Sequence, residues 1–135
     1  MTQNIRDFFA AKRAAGPSGR RRENPETSIT RQIREVLKIM RVPTWKHWAG
    51  TFSQKGIPDL VGTIPGGRAF YCEVKAPGGT ARAEQVSFLA DHEAAGAVCL
   101  IAYGPRDVVL ALAKAGYKPA VELARNLYPL STREK

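Results

Sequence analysis

Between two segments of helical pattern, the seven residues from Ala97 to Tyr103 read AVCLIAY, a near-continuous apolar run. This is the pattern of a strand covered on both faces, which requires a sheet with helices packed against it. The rest of the chain must supply those partners, and its punctuation says where. Asn24-Pro25 reads as a helix start, with Asn as N-cap, Pro at the first position and Glu26 at the positive end of the dipole. Ile29, Ile33, Val36, Leu37 and Met40 follow at helical spacing, and Pro43 ends the helix. Thr44 to Phe52 is aromatic-rich and strand-like. Leu60 to Ile64 and Arg68 to Lys75 read as two strands around a Pro65-Gly66-Gly67 hairpin turn. Thr80 is a candidate N-cap for a helix that places Val86, Leu89, Ala90 and Glu93 at helical spacing and closes at Gly96. Gly104-Pro105 starts another helix that Gly116 ends, and a short helix is expected around Ala120 to Asn126. The order helix, three strands, helix, strand, helix predicts an α/β fold, a mixed sheet flanked by helices.

A chain of 135 residues at 44% hydrophobic content makes one domain with short tails and buries a real core. No apolar run approaches the roughly 20 residues that span a bilayer, and the N-terminus has no uninterrupted apolar segment of the signal-peptide kind. A cytoplasmic protein is expected, or one in a host's cytoplasm if the chain is viral. Cys72 and Cys99 both lie in apolar strand-like runs and are expected to act as small hydrophobes; a disulfide framework or a zinc cage needs more.

Charge is the first functional signal. Twenty-one Lys and Arg against twelve Asp and Glu leave a net +9 and an isoelectric point near 10.0. Residues 1–23 carry six basic and two acidic side chains, and residues 24–135 carry fifteen and ten, so tail and body are both basic. Such an excess points to a polyanionic partner, nucleic acid above all. Ala14 to Asn24, with Arg20, Arg21 and Arg22 among Gly, Pro and Ser, reads as a flexible basic linker.

The hairpin repays arithmetic. With a three-residue loop, Ile64 pairs with Arg68, and counting back sets Asp59 opposite Glu73. Directly opposed residues have Cβ atoms about 4.5–5.5 Å apart on one face. Two carboxylates so placed repel, and one is expected to take a raised pKa unless a cation sits between them. Alternation adds Lys75 to their face and turns Cys72 and Val74 to the core. Oxygen ligands of this kind suit a hard divalent ion, Mg²⁺ or Mn²⁺. A charged pair across a hairpin is also common as a solvated salt-bridge face. The apolar strand, the tight Gly56–Pro58 approach to Asp59 and the basic body favour the metal reading.

Glu26 opening a helix, Gly56-Ile57-Pro58-Asp59, Glu73-Val74-Lys75 and a following Gln85 together resemble the PD-(D/E)xK nucleases, and more narrowly the virus-type replication-repair nuclease (VRR-NUC) family. The resemblance covers about Asn24 to Tyr103. It implies a restriction-endonuclease-like fold, with a basic tail over 1–23, a nuclease domain over 24–112 and a C-terminal extension over 113–135. It implies Asp59, Glu73 and the backbone carbonyl of Val74 as ligands of Mg²⁺ or Mn²⁺, with Glu26 as an outer acid that holds a metal-bound water or a second ion. Lys75 would position or help deprotonate the attacking water and offset developing charge, and Gln85 would orient Lys75 or the phosphate. Glu26 also has a simpler reading as a dipole partner.

Lys55, Thr80 and Arg82 are candidate phosphate contacts beside Arg20, Arg21 and Arg22. His47, among aromatics, is expected to pack or to face DNA rather than to catalyse. Trp45 or Trp48 is a candidate for stacking on unpaired bases, with core packing expected for at least one of them. Glu35 lies off the apolar stripe. In the tail, Ile5, Phe8 and Phe9 match the sliding-clamp-binding peptide pattern, although Thr2 stands where that pattern has Gln; the other reading is docking on the chain's own domain. The expected function is a Mg²⁺- or Mn²⁺-dependent DNA endonuclease acting on branched, Holliday-junction-like DNA. The rival expectations are a catalytically silent DNA-binding or clamp-tethered accessory protein and a flap- or end-directed nuclease. Two symmetric incisions in a junction need two active sites, hence a homodimer, built on Trp45, Trp48 and Phe52 or on the segment from Tyr117 to Leu130.

Overall fold

The computed structural model describes residues 24–48 and 54–128. Among them the chain order is α1 (Pro25–Ile39), β1 (Thr44–Lys46), β2 (Leu60–Ile64), β3 (Arg68–Val74), α2 (Ala83–Ala94), β4 (Val98–Ala102), α3 (Pro105–Lys114) and α4 (Lys118–Leu127). The strands form one mixed sheet in the order β1-β2-β3-β4, antiparallel except for the β3–β4 pair, which is parallel. The fold is mixed α/β.

α1 begins where its sequence dictates. The Asn24 Oδ1 accepts the Glu26 N–H at 2.9 Å, and Pro25 takes the first helical position, where no N–H is needed. Its apolar stripe buries Ile33, Val36, Leu37 and Met40, and Ile29 packs against the same cluster. Beyond Met40 the Arg41 N–H donates to the Lys38 carbonyl and the Val42 N–H to the Leu37 carbonyl, which turns the chain through Arg41 at a φ of +61°. Phe70, Cys72 and Val74 of β3, Leu60 and Ile64 of β2, and Val98 and Ala102 of β4 meet α1, α3 and α4 on the other side of this core. The Tyr117 hydroxyl donates to the Met40 carbonyl and ties the α3–α4 link to the end of α1.

The hairpin has the expected register: Ile64 pairs with Arg68 and Leu60 with Cys72 around the Pro65-Gly66-Gly67 turn. Gly62 is where β1 crosses close. A Cβ there would collide with the Pro43 carbonyl oxygen and stand 2.6 Å from the Thr44 Cγ2, so only glycine lets the two strands approach.

Several expectations need correction. β1 covers Thr44–Lys46 rather than Thr44 to Phe52, and residues 49–53 lie outside the described part. One further backbone bond follows the strand: the His47 N–H donates to the Asp59 carbonyl. Neither tryptophan is core: Trp45 is 58% and Trp48 74% exposed, because three residues at a sheet edge offer nothing to cover an indole. The N-cap of α2 is Arg82, not Thr80. α2 turns Leu89, Phe88 and His92 inward, while Val86 is half exposed and Ala90 and Glu93 face solvent. Phe88 stacks on His92 at 4.0 Å and meets the Tyr71 ring edge-on at 5.2 Å, so contacts with β3 set the face.

β4 is buried at Val98 and Ala102 but only half-buried between them, because it has one strand neighbour among the described residues. In the last segment Ala120 and Leu123 are buried, and Leu127 and Tyr128 pack against the core. These residues pack into the chain's own core. Burial pushes the Cys72 thiol well above its ordinary value, as befits a small hydrophobe. Among the described residues no helix is long and apolar enough to cross a membrane.

Candidate active site

The segment before β2 is held by its shape. Gly56 sits at a φ of +89°, and a Cβ on it would lie 2.6 Å from the Glu84 carbonyl oxygen, so the turn presses against the first turn of α2. Pro58 is fully buried behind it. Asp59 therefore emerges from a fixed backbone, and its Oδ2 accepts the Val74 N–H at 2.9 Å. The N–H and C=O of one strand residue point to the same side. The Val74 carbonyl thus lies on the same side of β3 as the N–H that Asp59 accepts.

Glu73 lies one step beyond the Leu60–Cys72 pair, opposite Asp59. It is buried, and among the described residues its Oε2 has no hydrogen-bond partner. Burial, then the hydrogen bond to Asp59 and the Asp59 charge, push its carboxyl up to about 9; the Lys75 charge opposes this and the Glu26 charge adds to it. Asp59, Lys75 and Glu26 therefore each act electrostatically on Glu73. An orphaned buried carboxylate oxygen beside a second carboxyl and a backbone carbonyl fits an oxygen-ligated divalent cation. Among the described residues no three His, Cys, Asp or Glu side chains converge as a full metal cage, so Glu26 stands outside the inner pair.

Other expected residues fall elsewhere. The Gln85 Oε1 accepts the Arg82 N–H at 2.9 Å, so this oxygen caps α2 rather than orienting Lys75. Arg82 is exposed at that helix start. Lys55 is exposed in a cleft that also holds Glu84 and Asp91, acids that weaken its claim as a phosphate contact. Among the described residues, His47 is joined to the site through its backbone N–H. Ile5, Phe8, Phe9, Arg20, Arg21 and Arg22 lie outside the described residues. On the outer face of α1, Arg31, Arg34 and Lys38 recur at intervals of three and four, a basic spacing legible in the sequence and absent from the candidate contacts above. Comparison with protein-family models, curated proteins and solved structures finds no match to this chain.

Proposed function

We propose that the chain is a Mg²⁺- or Mn²⁺-dependent DNA endonuclease of the restriction-endonuclease-like kind, as its resemblance to the VRR-NUC family implies. The observation that carries this reading is the opposed Asp59–Glu73 pair with its unpartnered buried Oε2, followed two residues on by Lys75. The basic chain supplies the long-range attraction for phosphates, and the acid pair supplies a small negative pocket within it.

Asp59, Glu73 and the Val74 carbonyl would hold the cation, with Glu26 as an outer acid. When bound, the ion neutralises phosphate charge and makes water a better nucleophile. The Lys75 ammonium donates hydrogen bonds to the attacking water and to the phosphate oxygens as charge builds on them. Water attacks phosphorus in line, the P–O3′ bond breaks, and the products are a 5′-phosphate and a 3′-hydroxyl. The substrate class follows from the resemblance: branched DNA, cut symmetrically by two copies of the chain.

The test is cleavage of labelled junction, flap, duplex and single-stranded DNA with Mg²⁺, Mn²⁺, Ca²⁺ or chelator. Asp59→Asn, Glu73→Gln and Lys75→Ala each reduce the cleavage rate by at least about a hundredfold. DNA binding is kept by all three, and tightened by the two that remove an acid. Unchanged turnover in Glu73→Gln would overturn the assignment.

A further inference from the structure

α1 and the strand β1 with its flanks line a groove of about 580 Å³. Arg31, Arg34 and Lys38 line it from the helix, and Lys46 and Trp48 from the strand side. Glu35 is the one acid among its described lining residues, so four cations face a single carboxylate. Thr27 also lines the groove, and between Thr27 and Lys38 the helix rises about 16 Å.

Each wall includes a sequence neighbour of a residue linked to the acid pair. Thr27 follows Glu26, whose charge acts on Glu73. Lys46 and Trp48 flank His47, whose N–H donates to the Asp59 carbonyl at 2.7 Å. Trp48 is 74% exposed, and the Lys46 Nζ sits 4.2 Å from the centre of its ring. The ammonium occupies one face of the indole and leaves the other for a second flat, electron-rich partner.

We propose that this groove binds an unpaired nucleic-acid strand, its phosphates on Arg34, Lys38 and Lys46 and one base stacked on Trp48, leading to or from the Asp59–Glu73 pair. Cations spaced along a track and an aromatic platform at its end are the two parts that single-strand binding uses. A duplex hides its base faces within its own stack, so it engages the cations and not the indole. The strand's destination rests on the nuclease reading; the binding itself does not.

The experiment is therefore done in chelator, where no cleavage occurs. The full chain carrying Trp45→Phe, which leaves Trp48 as its sole tryptophan, is titrated with an oligo-dT strand of about 12 nucleotides. A duplex of equal length and a polyglutamate peptide are titrated in parallel. The expected result is quenching of Trp48 fluorescence by the single strand alone. Trp48→Ala weakens the single strand about tenfold and the duplex hardly at all. Arg34→Gln with Lys38→Gln lowers the slope of log affinity against log salt by about 1.4. Equal quenching by polyglutamate, or single-strand affinity untouched by Trp48→Ala, overturns the proposal. A protein that binds the strand as described yet cuts no DNA with Mg²⁺ upholds the groove and refutes the nuclease reading.

Discussion

A carboxyl buried opposite a second carboxyl keeps its proton well past neutrality, and Glu73 does so up to about 9. Its unfolded value is near 4.5, so between those limits the folded chain holds a proton that the unfolded chain has released. Stability must then fall as pH rises through that window, the opposite sense from an ion-paired carboxylate. Glu73→Gln, neutral throughout, should flatten this slope and stabilise the metal-free chain by about 1–3 kcal/mol at pH 8. Denaturant titrations of both proteins in chelator from pH 5 to 9 measure it, and parallel stability curves would refute it. Arg41 is strained in a different way. It holds a φ of +61° at the end of α1, a conformation that costs a residue with a Cβ about 1 kcal/mol relative to glycine. Arg41→Gly should raise stability by about that amount in the same titration.

At the level of elements, the β1–β2 contact depends on one missing methyl group. Gly62→Ala drives a Cβ into the Pro43 carbonyl and the Thr44 side chain, where backbone cannot yield. It should cost about 2–4 kcal/mol, and a drop in the thermal midpoint of several degrees checks it. The hairpin beside it was legible because Pro65-Gly66-Gly67 fixes the loop length, and loop length fixes register, which brought Asp59 to Glu73. α1 was legible for a similar reason: its cap and its stripe are both local. The inward face of α2 was not, because Val86 and Phe88 have similar claims as apolar residues, and only the Tyr71 ring across the sheet decides between them. The role of Gln85 turned on a helix start two residues later than Thr80 implied. The exposure of Trp45 and Trp48 depended on how short β1 is, and its aromatic-rich sequence carries no local mark of that length.

For the whole molecule the distribution of charge matters most. Residues 1–23 bring six of the twenty-one basic side chains but none of the proposed metal ligands. A chain beginning at Asn24 should bind DNA more weakly and with a shallower salt dependence, while cleavage at low salt persists. An unchanged slope of log affinity against log salt would show that the tail does not contact phosphate. The fold also joins near and distant parts of the chain. Asp59 and Glu73 belong to one hairpin, whereas Glu26 arrives on α1, and β4 reaches β3 only after α2 has crossed between them.

The hairpin places the two acids six pairs away from its turn, past Ile64–Arg68 and every pair to Leu60–Cys72. A hairpin that zips from its turn makes its nearest contacts first, because each new pair then closes the smallest remaining loop. Asp59 and Glu73 would thus meet last, and they are the pair that most resists meeting unless a proton or a cation stands between them. The five pairs before them must hold the strands together against that repulsion. Maturation of the acid centre then becomes the final step of closure, and a solution lacking both protons and divalent ions should let this end of the hairpin fray while its turn stays shut.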